Sequence, residues 1–117
     1  MPVDHVLAVV PVSDIGVARP WYERLFGRPP TNVPMVSLVE WQVTPSGWVQ
    51  VFLDPGRAGS GLLNLTVDDI DGELALLVGR GLAPGPVETV SKGVQLSALL
   101  DPDGNRITLI GGFRPDY

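Results

Sequence analysis

The chain reads Leu7-Ala8-Val9-Val10-Pro11-Val12-Ser13-Asp14-Ile15 near its start and Leu62-Leu63-Asn64-Leu65-Thr66-Val67-Asp68-Asp69-Ile70 in its middle. Each stretch is an apolar run ending in Val-x-Asp-Ile, and the two copies lie 55 residues apart. A short apolar run rich in β-branched residues reads as a strand, and an aspartate just ahead of helix-period residues reads as an N-cap. A second landmark keeps the same order. Thr44-Pro45-Ser46-Gly47 recurs as Asp101-Pro102-Asp103-Gly104, offset by 57 residues. Proline followed two residues later by glycine is turn chemistry, because proline presets one backbone angle and glycine tolerates a positive one. Two landmarks in one order at nearly one offset point to an internal duplication. The competing explanation is chance likeness between turn words rich in Asp, Gly and Pro.

Each half then reads as a strand, a helix and three strands. In the first half a strand spans Val6–Val12, with Ser13 or Asp14 as the helix cap. Ile15, Ala18, Tyr22 and Leu25 share a helical face, and Gly27 closes the helix as a C′ glycine. Pro20 conflicts with this helix, since it removes a donor and crowds the preceding turn; it predicts a kink or a start near residue 18. Arg28–Met35 reads as a loop, followed by strands near Val36–Thr44 and Trp48–Leu53. In the second half, Leu62–Val67 is a strand and Asp69 caps a helix bearing Ile70, Leu74, Leu77 and Val78, ended by Gly79 and Gly81. Strands follow near Val87–Val90, Gln95–Leu100 and Arg106–Ile110. The expected organisation is one domain of two modules, about 1–55 and 61–117, with a linker at about 54–60. Neither module has enough core to stand alone, so the two must share one.

Composition narrows the function. A chain of 117 residues is one domain's worth. Its 13 acids outnumber its 8 Lys and Arg residues, giving a net charge of −5 with no basic run. That balance argues against nucleic acid or an anionic membrane as partner. The absence of cysteine excludes disulfides, thiolate zinc sites, iron–sulfur clusters and thiol nucleophiles, and a His-dependent triad would rest wholly on His5. A hydrophobic content of 44% and mean hydropathy of +0.22 indicate a packed globule. With 14 glycines and 12 prolines, short strands and many turns are favoured over a helix bundle. The apolar stretch Val6–Val12 is far shorter than the roughly 20 residues of a spanning helix and follows no basic segment, so a cytoplasmic protein is expected.

Strand alternation sorts side chains onto two faces. The helix-covered face is assigned Ala8, Val10 and Val12 in the opening strand, and Leu63, Leu65 and Val67 in its counterpart. Val39, Trp41, Val43, Val49, Val51 and Leu53 complete the first half, with Ile107 and Leu109 in the second. The opposite face then carries Leu7, Val9 and Pro11; Glu40 and Gln42; Trp48, Gln50 and Phe52; Asn64 and Thr66; Gln95, Ser97 and Leu99; Arg106 and Thr108. Aromatics beside amides, hydroxyls and charges suit a ligand cleft, which is mainly apolar with a few placed polar groups. An ordinary half-exposed sheet face or a dimer surface would carry the same mixture.

These landmarks resemble the vicinal oxygen chelate superfamily, which comprises glyoxalases, bleomycin resistance proteins and dioxygenases. The opening strand, its Val-Ser-Asp-Ile cap and Trp21-Tyr22-Glu23-Arg24-Leu25-Phe26-Gly27 resemble the start of its first module. Asp101-Pro102-Asp103-Gly104-Asn105-Arg106-Ile107-Thr108-Leu109-Ile110 resembles its closing hairpin and is the most specific part of the likeness. The resemblance implies an α+β fold in which two paired βαβββ modules form a curved, mostly antiparallel sheet around a small-molecule cleft, often in a dimer. Metal-dependent members of the superfamily hold a divalent ion there with His, Glu or Gln. By the resemblance, those positions fall at Leu7, Leu62, Thr108, and Gln50 or Val51 according to register. Leucine has no lone pair to offer, and a lone threonine hydroxyl is a weak ligand. His5 stands two residues before Leu7 on the same face, where only a slip or bulge would bring it closer. No metal cofactor is therefore expected, which weighs against the metal-dependent isomerisation, ring cleavage and thiol transfer of the superfamily.

Three readings follow. The first is a metal-free protein that sequesters a small aromatic or amphipathic molecule, acting as a homodimer. Its ligand-binding residues are Glu40, Gln42, Trp48, Gln50, Phe52, Asn64, Thr66, Ser97, Arg106 and Thr108, with Trp48 and Phe52 as stacking surface. The second is a lyase, isomerase or dioxygenase relative using a non-standard metal site, or Glu40 as a general base whose pKa is raised by burial. Arg106 would then pair with Glu40 or anchor a ligand carboxylate. The third is a structural or regulatory dimer without a ligand. Asp68, Asp69 and Asp71 lack the spaced ligands of a calcium loop, and one of them is needed as a cap.

Overall fold

The computed structural model describes residues 1–116; Tyr117, at the end of the second module, lies outside them. Among the described residues, eight strands and two helices follow in chain order: β1 Val6–Val12, α1 Ile15–Phe26, β2 Asn32–Met35, β3 Leu38–Gln42 and β4 Gly47–Leu53. The second set is β5 Leu62–Val67, α2 Ile70–Gly79, β6 Glu88–Thr89, β7 Gln95–Leu100 and β8 Arg106–Gly111, with a 3₁₀ turn at Ser91–Gly93. They form two four-stranded sheets of identical topology, β1-β4-β3-β2 and β5-β8-β7-β6. In each sheet the opening strand runs parallel to the closing one and the other pairings are antiparallel. The fold is thus α+β, built from two mixed βαβββ sheets, and neither closes into a barrel.

Capping chemistry starts both helices. Asp14 accepts from the Gly16 and Val17 amides at 2.8 and 3.3 Å, and Asp69 accepts from the Gly72 amide at 3.1 Å. Gly27 ends α1 at φ 73°, a left-handed conformation in which a side chain would be strained. Pro20 neither delays nor divides the assigned helix, which starts at Ile15. The proline costs a bond to the Gly16 carbonyl; both residues are exposed, so water can take the bond's place. The loop expected at Arg28–Met35 contains β2, a sheet-edge strand whose four residues are all exposed. Pro34 fits there because an edge strand leaves one side of its backbone unpaired. β6 is two residues long where four were expected, and Val78 points outward at 61% exposure.

The helix-covered faces of both sheets converge on one core. Val10, Val12, Tyr22, Trp41, Val51 and Ile107 are each 1% exposed or less. Leu53, at the end of β4, is partly exposed instead of buried. β7 requires a larger correction. Ser97 pairs with Leu109 and Leu99 with Ile107, and directly opposed residues share a face, so Gln95, Ser97 and Leu99 lie on the helix side. Ser97 is 1% exposed and its hydroxyl donates to the Gly85 carbonyl at 2.7 Å.

Polar bonds from the β7–β8 turn join the modules. Asn105, fully buried, donates from Nδ2 to the Pro11 carbonyl of β1 at 2.7 Å and accepts the Gly61 amide at 2.7 Å. The same nitrogen reaches Asp101 Oδ2 at 2.8 Å, where the Tyr22 hydroxyl of α1 also donates at 2.7 Å. Asp103 accepts the Ser13 amide at 3.0 Å and its hydroxyl as well. An amide side chain thus takes the place of a backbone ladder between β1 and β5, each the terminal strand of its own sheet.

Candidate functional site

The strand register places the open-face residues in rows. Across the first sheet Val9, Gln50 and Glu40 lie side by side, flanked by the rows Leu7–Trp48–Gln42 and Pro11–Phe52–Leu38. Across the second, Asn64, Thr108 and Ala98 form the matching row, flanked by Leu62–Arg106–Leu100 and Thr66–Ile110–Leu96. Val9 and Asn64 are 55 residues apart, the spacing of the repeat, so their neighbours Gln50 and Thr108 are equivalent. That settles the alternative between Gln50 and Val51: Gln50 faces the open side, and Val51 is wholly buried in the core.

Three cavities collect most of the candidate residues. The first, about 610 Å³, is floored by Val9, Leu38, Gln50 and Phe52 and rimmed by Asp54 and Arg57. The second, about 390 Å³, takes Asn64, Arg106 and Thr108 together with Glu88 and Leu96. The third, about 480 Å³, lies at the seam between the modules, and Trp48, Asn64 and Thr66 border it. Asn64 is therefore shared between two of them. Gln50 and Thr108, equivalent by symmetry, open into different cavities of a single chain.

Other candidates fall outside. Glu40 is half-buried in its row but does not border the Gln50 cavity. Arg106 belongs to the other sheet, and the ion pairs among the described residues are Arg19–Glu23 and Arg57–Asp54, so the Glu40–Arg106 pair does not form. The Gln42 side chain is spent on its own turn, donating to the Pro45 carbonyl at 3.1 Å. Ser97 is removed from the open face altogether by the β7 register. Asp54, Arg57 and Glu88 were missed: the first two lie in the linker and the third in a two-residue strand, where no periodicity marks a face.

The residues present do not fit the divalent ion of metal-dependent relatives. Leu7 and Leu62, 50% and 81% exposed, present hydrocarbon at the opening-strand positions. Gln50 and Thr108 supply one amide and one hydroxyl in separate cavities. His5 precedes β1 and is exposed, and among the described residues no three His, Asp or Glu side chains gather in a metal-binding group. No helix among them is long and apolar enough to cross a membrane.

No protein-family model matches the sequence, and a search of curated proteins found no match. Solved structures do match. The chain is similar to a glyoxalase/bleomycin resistance protein from Catenulispora Acidiphila DSM 44928, with 33% identity and a TM-score of 0.86 over 92% of this chain and 96% of that one. It is similar to TnmS3, an antibiotic binding protein from Streptomyces sp. CB03234, with 28% identity and a TM-score of 0.75, covering 95% and 98% of the two chains. A bleomycin-binding protein complexed with bleomycin shares the fold at 22% identity and a TM-score of 0.77, over 94% and 99%. A third of the residues shared across nearly the full length of both chains, on one two-module architecture, shows that this chain belongs to the glyoxalase/bleomycin resistance protein family of the vicinal oxygen chelate superfamily.

Proposed function

We propose that the protein binds a small aromatic or amphipathic molecule on the open faces of its sheets, without a metal ion, and acts by sequestering it. The observation that carries this reading is the Gln50 cavity. An apolar floor of Val9, Leu38 and Phe52 surrounds one uncharged amide, with the paired Asp54 and Arg57 at the rim. That is a surface for a flat hydrophobic body that carries polar groups at its edge. Asn64 and Thr108 supply the equivalent polar groups in the second sheet. The similarity to TnmS3 and to the bleomycin-binding protein supports the same class of activity. A homodimer belongs to the proposal. Leu7, Val9, Leu62 and Leu100 are all at least half exposed on these faces, and a second copy would cover them and bring complementary half-sites together. The proposal also places the protein in the cytoplasm, where a sequestering protein meets a compound that has already entered the cell.

The test is a titration with a panel of planar aromatic compounds, followed by backbone amide chemical shifts. Binding that moves the amides of Val9, Gln50 and Phe52, and weakens at least tenfold in Phe52→Ala, supports the reading. No saturable shift on either open face, or stoichiometric zinc, nickel, manganese or iron in the purified protein, overturns it. Sedimentation equilibrium checks the dimer, and a monomer at micromolar concentration removes that part.

A further inference from the structure

The seam cavity is separate from the Gln50 cavity, although Trp48, Asn64 and Thr66 of the open-face set border it. From the Asn105 joint at Pro11 and Gly61, the edges of β1 and β5 border a space of about 480 Å³, with Val6 and Ala8 on one side and Leu63 and Leu65 on the other. The helix ends close it: Leu25 and Phe26 from α1, Leu77 from α2, and Arg28 and Arg80 just beyond the two helices. The volume is within the roughly 300–1,000 Å³ of small-molecule sites, and the walls are mainly hydrocarbon.

Its charged groups are unusual for an acidic protein. Arg80 reaches from the end of α2 to α1, where Nη1 donates to the Arg24 and Leu25 carbonyls at 3.0 and 3.2 Å. Gly27 admits it, since a Cβ there would stand 2.9 Å from the guanidinium carbon. The Arg28 guanidinium donates to the Gln42 carbonyl. Neither arginine makes an ion pair among the described residues. Each guanidinium has five N–H donors, of which carbonyls engage one nitrogen's share, so donors remain for an anion. Both arginines also border an outer depression with Arg24 and Glu23, and Glu23 is paired with Arg19. Glu73 is the one acid on the seam wall, against two arginines.

We infer that the seam between the modules is a second binding site, for an amphipathic monocarboxylate whose apolar body lies between β1 and β5 and whose carboxylate is held by Arg28 and Arg80. Pre-positioned guanidinium groups suit a carboxylate because their planar donors match its two oxygens, and an apolar surround strengthens the pairing. The site lies between the module edges and shares no residue with the Gln50 floor that carries the proposed function. Trp48, Asn64 and Thr66 are common to the seam and the open faces, so Ala8 and Leu65 report the seam while Val9, Gln50 and Phe52 report the floor.

The probe is decanoate, titrated into isotope-labelled protein beside decanol and decyltrimethylammonium, which carry the same chain with a neutral or a cationic head. Decanoate is expected to bind tightest, shifting the Ala8 and Leu65 amides and the Arg80 Nε–H while leaving Phe52 and Thr108 unmoved. Arg28→Gln, a change at an exposed residue, should weaken decanoate about tenfold and leave decanol unchanged. Ala8→Leu, which fills the cavity, should weaken both. The inference is overturned if decanoate does not saturate at millimolar concentration, if its shifts fall on Val9, Gln50 and Phe52 instead, if the cationic probe binds tighter, or if Arg28→Gln weakens decanol equally.

Discussion

Replacing Asn105 by alanine tests whether one buried amide holds the modules together. The substitution keeps the backbone N–H bond to Asp101 Oδ1 and removes three side-chain bonds, to the Pro11 carbonyl, Asp101 Oδ2 and the Gly61 amide. A typical bond contributes about 1 kcal/mol net, and a buried partner left unsatisfied costs about 1–3 kcal/mol. Asp101 Oδ2 keeps the Tyr22 hydroxyl, so the Pro11 carbonyl and Gly61 amide carry most of the penalty. The expected loss is about 3–4 kcal/mol, a large part of the ~5–15 kcal/mol that holds a domain of this size. Asn105→Asp sharpens the test. It preserves shape and the acceptor for Gly61, but sets a carboxylate against the Pro11 carbonyl and the Asp101 carboxylate. Burial and like charge raise the folded pKa of the introduced carboxyl above its unfolded value. The neutral form is therefore favoured in the native state, and stability relative to wild type is greatest at low pH and falls as pH rises. Urea unfolding at pH 7 and pH 4.5, followed by circular dichroism, reads both effects. An Asn105→Ala variant within about 0.5 kcal/mol of wild type, or an Asn105→Asp deficit that does not change with pH, would refute the assigned role.

Burial, and then the hydrogen bond to Asp101, push the Tyr22 phenol well above its ordinary pKa, so the native state holds its proton more tightly than the unfolded chain. Its contribution to stability is complete below about pH 10 and lost above it, at up to about 1.4 kcal/mol per pH unit; Tyr22→Phe should flatten this alkaline loss in urea titrations, and an unchanged slope would count against it. Ser97→Ala should cost about 1–2 kcal/mol by leaving the Gly85 carbonyl without its donor, while leaving open-face affinity unchanged; a loss of ligand affinity at undiminished stability would return Ser97 to the cleft.

Where one face of a strand is buried and the other is not, the alternation was legible. Val39 and Trp41 against Glu40 and Gln42 placed β3 correctly, because an amide or carboxylate on the core side would need a partner there. β7 offered no such contrast. Gln95, Ser97 and Leu99 alternate with Leu96, Ala98 and Leu100, and neither set is plainly polar. Pairing with Leu109 decided the face, and a local bond to Gly85 made the buried hydroxyl tolerable. β2 was missed for a related reason: an edge strand with all four residues exposed has no buried face to produce a period. The aspartate caps and Gly27 were legible because their chemistry is local.

Local physics thus determined most of the duplicated unit, its turns and its caps, whereas the resemblance alone marked Leu7 and Leu62 as metal-ligand positions. The side chains of a strand or helix end meet neighbours close in sequence, so their constraints are written there. Which residues share a cavity depended on tertiary structure, because register and module docking bring together groups tens of residues apart. Gln50 and Thr108 became equivalent only through their pairings with Val9 and Asn64. The closing hairpin Asp101–Ile110 shows both sides of the division. Its turn words were the strongest sign of the family, yet the use of Asp101, Asp103 and Asn105 to join two modules was decided by packing alone. Arg28 and Arg80, 52 residues apart, meet at one cavity for the same reason.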